Sequence, residues 1–399
     1  MTQRIFFVFF LFSVVTILAQ EVSDRNIQYH NFEQQFGDSA HVAFMGGSIT
    51  EMNGYRPMVC EMLQKRFPET RFTFTAAGLS STCSMTGAFR LEQDVLSKGR
   101  VDLFFVEFAV NDDQDAHHSE QTAIRGMEGI IRHLWRNNPY AGIVLIFFAN
   151  EHLMDEYRHK REAVSIVAHR KVAEYYGISM VNVAQEVRQQ IDEKKLTWQQ
   201  YGGVHPAPYG NRLAANMIEK LFEQPVTAEK MTSEKTSFEK KSSEISEKHP
   251  PLPTPLDIFC YENGRFVSPD IAKYGEAWSW AVPDWKSISG HCRSSFSGQK
   301  LLCCDQSGKE LTFEFDGKAV GAFVLAGPDA GIVEYQIDNQ PVKQTVLFHH
   351  FSNNLHYPRT VMFDDQLKTG KHTLRLWIID TVPPQSKGTV ARILQFTVN

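Results

Sequence analysis

The chain lacks several features that would assign a protein to a class at first sight. It has six cysteines in 399 residues, and none stands in the CxxC spacing that is typical of zinc and redox sites. Basic and acidic residues nearly balance, 41 against 46, which excludes the strong positive charge expected of a nucleic-acid-binding protein. After the N-terminus no run is apolar enough to cross a bilayer. These absences leave a globular protein, and its length favours two domains.

The N-terminus carries the pattern of an export signal. Arg4 precedes the apolar run 5–18, and Ala19-Gln20-Glu21 opens the polar sequence. A charged start, a short apolar core and small residues at its end predict a signal peptide over residues 1–19, with an uncleaved anchor as the alternative. We therefore expect a secreted or periplasmic protein with no stable membrane insertion after cleavage.

Export would permit disulfides, and the cysteine count is even. Pairing cannot be read from the sequence. A bridge from Cys292 to Cys303 or Cys304 is one expectation, because hairpin neighbours lie close together. Small buried free thiols are the other.

Residues 20–226 are predicted to form an α/β domain. Apolar runs of strand length lie at 42–45, 72–76, 101–110, 142–149 and 179–183. They lack strict alternation, as expected of strands buried on both faces. Helical periods stand between them, for example Ile124, Met127, Ile130, Ile131 and Leu134. Strands that alternate with helices predict a parallel sheet covered on both sides.

The rest of the chain has two different patterns. Residues 227–256 are rich in Lys, Glu, Ser and Thr and end in a proline-rich stretch, which predicts a linker. Residues 257–399 contain alternating apolar segments with turn signals, which predict an antiparallel β-sandwich or jelly-roll domain. Its tryptophans at 278, 280 and 285 either stack on sugars or fill the sandwich core or the domain interface, and we favour the second possibility. The loop Phe348–Pro358 is a candidate lip of a cleft between the domains.

Four residues with complementary chemistry follow predicted strands of the α/β domain. Ser48 comes after the first strand in a Gly-Gly-Ser turn, Gly78 after the second, Asn111 after the third and His205 after the last. Successive strand ends in such a sheet meet at one crevice. A histidine there can take the proton of a serine nucleophile. Backbone N–H groups and an asparagine amide are suitable donors to a tetrahedral oxyanion.

These four motifs, in this order, resemble those of the SGNH (GDSL-like) hydrolase superfamily over about residues 40–223. The Gly46-Gly-Ser-Ile-Thr50 form, with Gly54-Tyr-Arg-Pro57, is similar to a branch of bacterial carbohydrate esterases. The resemblance implies a flavodoxin-like three-layer α/β/α fold and ester hydrolysis through an acyl-enzyme. It implies Ser48 as nucleophile, His205 as general base, and an oxyanion hole of the Ser48 backbone, Gly78 and Asn111. It implies no cofactor.

The chain departs from the family pattern at two positions. Gly47 stands where an aspartate usually precedes the serine, and Gly202 stands where an aspartate usually orients the catalytic histidine. We consider Asp112, Asp113 and Glu107 as possible orienting acids. A backbone carbonyl that holds the imidazole in a Ser–His dyad is the alternative. A wrongly oriented histidine costs up to about 10⁴ in rate.

The predicted function is that of a secreted serine esterase that deacetylates an O-acetylated polysaccharide or oligosaccharide through Ser48. A lipid or thioester hydrolase of the same superfamily is one alternative. An inactive carbohydrate-binding protein that lacks the orienting acid is another. The histidines at 117–118, 152, 349–350 and 356 have no recognised zinc spacing, so we predict no metal site.

Overall fold

The structure is a computed structural model that describes residues 36–223 and 251–399. The predicted signal peptide and most of the predicted linker lie outside these residues. Within them, no helix combines the length and the apolar character needed to span a membrane.

Residues 36–223 form one parallel sheet flanked by helices. The strands are β1 (Ser39–Gly46), β2 (Arg71–Gly78), β3 (Leu103–Glu107), β4 (Gly142–Phe147) and β5 (Ser179–Asn182). The helices are α1 (Ser48–Glu51), α2 (Tyr55–Arg66), α3 (Ser84–Asp94), α4 (Glu120–Asn137), α5 (Glu151–Arg158), α6 (Val164–Tyr176), α7 (Val183–Asp192), α8 (Trp198–Tyr201) and α9 (Pro208–Glu223). The strand order β2-β1-β3-β4-β5 is the flavodoxin-like order, which confirms the predicted α/β class.

Burial explains why the central strands have unbroken apolar sequences. Strands β3 and β4 are buried along their whole length, whereas the edge strand β2 is half-exposed. The predicted strand at 101–110 is too long at both ends. Phe108, Ala109 and Val110 are apolar because they are buried, but the chain has already turned there into a π-helical turn, Asn111–Asp115.

Residues 257–399 form two antiparallel sheets, as predicted. The strands are β6 (Arg265–Val267), β7 (Lys273–Tyr274), β8 (Ser279–Ala281), β9 (Leu301–Cys304), β10 (Leu311–Gly317), β11 (Val320–Ala326), β12 (Ile332–Ile337), β13 (Lys343–Val346), β14 (Tyr357–Asp364), β15 (Gly370–Ile378) and β16 (Ala391–Val398), with one short helix, α10 (Ser294–Ser297). One sheet has the order β13-β12-β15-β10-β7, and the other β14-β11-β16-β9-β8 with β6 beside β16. Phe313 of the first sheet stacks on Phe396 of the second at 4.1 Å between ring centroids, so the sheets share one core.

The β-rich region packs directly on helix α4. Arg125 donates to Asp257 at 2.8 Å and to Asp365 at 2.6 Å. Gly129 lies so close to Tyr261 that a methyl group at Gly129 would be 2.7 Å from the Tyr261 backbone. The proline-rich end of the predicted linker is also fixed here, because Arg132 donates to the carbonyl of Pro253 at 2.7 Å. The two halves therefore meet through buried ion pairs as well as through the chain.

The cysteines and the tryptophans show how two expectations about side chains turn out. All six cysteines are free thiols, so the expected bridge from Cys292 to Cys303 or Cys304 is absent and the alternative of unpaired thiols holds. Trp278 is buried in the sandwich core, and Trp280 and Trp285 pack partly against the apolar clusters of this region. Trp278 therefore fills the core as favoured, whereas Trp280 and Trp285 are half-buried and do so only in part.

Candidate active site

Ser48 begins helix α1 directly after strand β1, as the Gly-Gly-Ser turn predicts. The two glycines are needed because other side chains occupy the space beside them. A methyl group at Gly46 would lie 2.1 Å from Oε1 of Glu107, and one at Gly47 would lie 2.1 Å from Oδ1 of Asn111. At Gly47, where the family usually has an aspartate, the Asn111 amide therefore occupies the space that a side chain would enter.

His205 reaches the serine from the far end of the domain. Its Nε2 lies 2.8 Å from Oγ of Ser48, although the two residues are 157 positions apart. His205 is exposed and Ser48 is half-buried, so the pair is open to solvent. The sequence-predicted serine and histidine are therefore in hydrogen-bond contact.

Gly78 lies against the end of α1, and Asn111 lies beside the residue that precedes α1. A methyl group at Gly78 would lie 2.1 Å from the amide nitrogen of Glu51 in α1. Asn111 touches Gly47, and its Nδ2 donates to Oδ2 of Asp115 at 2.7 Å. This bond occupies one of the two amide hydrogens. The fold therefore brings all four predicted residues to one sheet edge.

None of the three candidate orienting acids contacts His205. Asp112 accepts from Ser84 and from His169, whose Nε2 is 2.9 Å away. Asp113 accepts from Asn150 at 2.9 Å and lies 2.8 Å from Nδ1 of His152. Both carboxylates are thus bound by these groups, and neither contacts His205.

Glu107, the third candidate, lies beneath the serine turn instead of beside the histidine. Its Oε1 accepts from the Gly47 N–H at 2.9 Å and from the Thr50 hydroxyl at 2.7 Å. The Tyr55 hydroxyl continues this chain at 3.0 Å from Thr50. Oε2 of Glu107 is buried without a hydrogen-bond partner among the described residues. Burial raises the pKa of Glu107 to about 7, since charge is costly in this apolar site.

Gly202, which stands where the family usually has its orienting aspartate, has a backbone conformation that suits glycine. Gly202 has a φ of 111°, which is in the region that side chains with a Cβ rarely adopt. A methyl group there would lie 2.0 Å from the amide nitrogen of Ala207. Among residues 36–223 and 251–399, no group accepts a hydrogen bond from Nδ1 of His205. The structure therefore holds a Ser–His pair with no third member within these residues.

Two arginines near the site were not among the predicted site residues. Arg90 is buried, and it donates to the carbonyls of Ala77 at 2.8 Å and Gly46 at 2.9 Å, so it ties together the ends of β1 and β2. Arg56 donates to the carbonyls of Thr50 and Glu51 at the end of α1. Through these bonds Arg56 holds the turn that carries Ser48. Nothing in the sequence marks Arg90, because an arginine in an amphipathic helix is usually exposed.

The β-rich region contacts the loops that carry Gly78 and Asn111. Arg293 donates to Oγ of Ser81 at 2.9 Å and to the Ser80 carbonyl at 3.4 Å. Ser81 has a φ of 66°, a strained value for serine, and the Tyr357 hydroxyl donates to its carbonyl. Nε2 of His349 lies 2.9 Å from the Asp115 carbonyl. The loop Phe348–Pro358 therefore adjoins the active-site edge.

Comparison with known proteins agrees with this geometry. The sequence model of the GDSL-like lipase/acylhydrolase family matches residues 36–213, a range that contains Ser48, Gly78, Asn111 and His205. Over residues 36–213 the chain is therefore similar to the GDSL-like acylhydrolases. No curated protein matches the chain at a significant level. The reaction class of this GDSL-like chain is hydrolysis of an ester bond.

Solved structures extend the likeness to the whole fold. Two crystal structures of a two-domain esterase active on acetylated mannans, one of them with mannopentaose, match 95% of this chain and 94% of their own. The TM-score is 0.68 at 18% identity. An acetyl xylan esterase variant from Geobacillus stearothermophilus matches 47% of this chain and 96% of its own, with a TM-score of 0.39 at 20% identity. The mannan esterase therefore shares both the α/β and the β-rich regions with this chain.

Proposed function

We propose that this protein is a carbohydrate O-acetyl esterase that acts through an acyl-enzyme on Ser48. The observation that carries the proposal is the 2.8 Å contact between Ser48 Oγ and His205 Nε2. His205 takes the hydroxyl proton as Ser48 attacks the ester carbonyl, and returns it to the leaving sugar oxygen. Water then attacks the acetyl-serine with His205 again as base, which releases acetate and restores the hydroxyl.

In this proposal three donors stabilise the oxyanion of each tetrahedral intermediate. These are the backbone N–H groups of Ser48 and Gly78 and the Nδ2 hydrogen of Asn111 that Asp115 does not use. Each preorganised donor contributes about 3–4 kcal/mol to the transition state. The proton on Nδ1 of His205 faces solvent in this scheme, so the enzyme works as a dyad, with water in the place of the family carboxylate.

An acetylated glycan is the substrate best supported. The exposed His205 and half-buried Ser48 give an open site, which suits a bulky chain that carries a small acyl group. The two-domain esterase of the same fold is active on acetylated mannans. A lipid or thioester hydrolase would need an apolar channel for a long acyl chain, and the exposure of the pair argues against an enclosed one. Export, proposed from residues 1–19, would bring the enzyme to such polymers, and fractionation of cells that express the full chain tests it.

The test is release of acetate from acetylated mannan and acetylated xylan by the purified chain and its Ser48→Ala variant. We expect release by the wild type and none above background by the variant. Ser97→Ala is the matched control, because Ser97 is an exposed serine on the same domain. Activity that survives Ser48→Ala overturns the mechanism.

Labelling with a fluorophosphonate separates an active esterase from an inactive carbohydrate-binding protein. The wild type should react at Ser48, and Ser48→Ala should not. A wild type that binds acetylated glycan but neither reacts with the probe nor releases acetate would establish the inactive alternative.

A further inference from the structure

A second polar cluster, largely buried, includes the residue that directly follows Asn111. It contains Cys83, which precedes α3, Asp112 in the π-helical turn and His118 in the loop before α4. One potential ligand atom of each residue lies within 4.8 Å of the other two. The esterase mechanism uses none of these side chains. The cluster therefore needs a separate explanation.

The His118 imidazole is poorly explained by hydrogen bonding. Its Nδ1 is buried and has no hydrogen-bond partner among the described residues. It lies 3.4 Å from Oδ1 of Asp112, which is longer than the roughly 2.7–2.9 Å of a charge-assisted N–H···O bond. Two ligands of one tetrahedral zinc, each bound at about 2.0–2.1 Å, are about 3.3 Å apart. The spacing therefore fits two atoms that share a metal better than two that share a proton.

Asp112 is held as a metal-binding carboxylate usually is. Its Oδ2 accepts from the Ser84 hydroxyl at 2.6 Å and lies 2.9 Å from Nε2 of His169. Its Oδ1 accepts from the Ser84 backbone N–H at 2.7 Å and keeps one lone pair for another partner. Such outer contacts fix the orientation of a ligand and tune its basicity.

From these contacts we infer that Cys83, Asp112 and His118 bind a zinc ion. A thiolate, an imidazole and a carboxylate are zinc ligands, whereas Mg²⁺ and Ca²⁺ prefer oxygen alone. One thiolate and one carboxylate balance the charge of Zn²⁺, which suits a buried site. Three protein ligands leave a fourth position for water. The sequence spacing gave no sign of this site because its ligands come from three separate segments.

The site has a structural role in this proposal. Asp112 directly follows Asn111, and Cys83 follows the loop that begins at Gly78, so a metal there fixes both donor-bearing segments relative to each other. The inference does not depend on the glycan proposed above, because metal content is measured without substrate.

The experiment is metal analysis of the full chain, purified without chelators from zinc-supplemented medium. We expect about one zinc per chain, and a loss to background in Cys83→Ser and in His118→Ala. Cys60→Ser is the matched control, since Cys60 is a half-buried free thiol outside the cluster, and it should retain its zinc. Absence of zinc from the wild type, or retention of zinc in folded Cys83→Ser, overturns the inference.

Cobalt titration keeps the test independent of whether the variants fold. Chelator-treated wild type should bind one Co²⁺ and develop a thiolate-to-cobalt absorption in the near ultraviolet, together with visible bands of tetrahedral intensity. Folded wild type that develops neither contradicts the proposal even if every variant is unstable. Acetate release plays no part in either readout, so failure of this site and failure of the proposed esterase are distinguishable.

Discussion

The two loops that meet at the active site are built in opposite ways. The serine turn is held from below by Glu107 and at the end of α1 by Arg56, both through hydrogen bonds to its backbone. The histidine loop is held by its own backbone, as in the 2.8 Å bond from the Ala207 N–H to the Tyr201 carbonyl, and by the buried Asn211 side chain, which donates to the Pro206 carbonyl at 2.6 Å. His205 itself is exposed. The serine half of the proposed site is therefore held by side chains from two other elements, β3 and α2, whereas the histidine half is held by its glycine-rich loop and by one side chain of the helix that follows it.

The largest expected effect comes from removing the base. His205→Ala should lower kcat on a small acetyl ester by at least about 1000-fold, since the nucleophile then has no proton acceptor. The double variant with Ser48→Ala should be no worse than either single variant, because the two side chains act as one unit. Initial rates measure both. A loss of less than tenfold in His205→Ala would show that His205 is not needed as the general base.

The next effect concerns the serine half of the site, and it appears in the pH dependence of the free energy of unfolding. Burial raises the pKa of Glu107 to about 7, from the value of 4.5 that it has without burial. Below pH 4.5 the carboxyl is protonated in both folded and unfolded chains. Between there and pH 7 only the unfolded chain releases the proton, so the free energy of unfolding should fall by about 1.4 kcal/mol per pH unit, roughly 3 kcal/mol in all.

Glu107→Gln tests this titration because an amide oxygen can still accept from the Gly47 N–H. We expect that the free energy of unfolding of the variant, measured with urea from pH 4.5 to 8, no longer shows the decrease with pH that Glu107 causes. Glu69→Gln is the control, since Glu69 is exposed. An unchanged slope in Glu107→Gln would show that Glu107 is ionised throughout and that its buried setting is better solvated than its contacts indicate.

A smaller effect is expected when the family aspartate is put back. Gly202→Asp forces a side chain onto a backbone with a φ of 111° and against the Ala207 amide, so stability should fall by about 1–3 kcal/mol. We expect no gain in kcat, because the loop must shift to admit the new side chain. Thermal unfolding and initial rates measure the two outcomes. An increase in kcat would show that the loop is compatible with a triad.

The smallest effect tests whether side chains of the β-rich region also help to hold the loops around the proposed active site. Arg293→Ala removes the bonds to Ser80 and Ser81 and should reduce kcat/KM by about two- to tenfold, which corresponds to about 0.5–1.5 kcal/mol for a hydrogen bond. Arg265→Ala is the control, because Arg265 bonds to Asp316 within its own region. Equal rates in the two variants would show that only groups of the α/β domain hold these loops for catalysis.

The sequence predicted best the features that depend on neighbouring residues. The Gly-Gly-Ser turn, the parallel sheet and the alternating strands of the β-rich region all follow from local patterns with a fixed period. The prediction failed where burial alone explains apolar residues, as at Phe108–Val110. It was also wrong about the surroundings of Glu107, because a position near the end of a strand does not determine which groups a carboxylate contacts.

By itself, the sequence determined the fold class and the four residues that follow the strand ends, since strand and helix periods and the topology of a parallel sheet bring those positions together. Only the tertiary structure decided which groups surround them. Asp112 and Glu107 are bound by groups other than His205, Gly202 has a backbone that disfavours the usual acid, and Arg293 reaches across from the second region to Ser81, a contact between residues 212 positions apart. Such contacts depend on how the elements pack and not on any local period, so no reading of the chain alone could supply them.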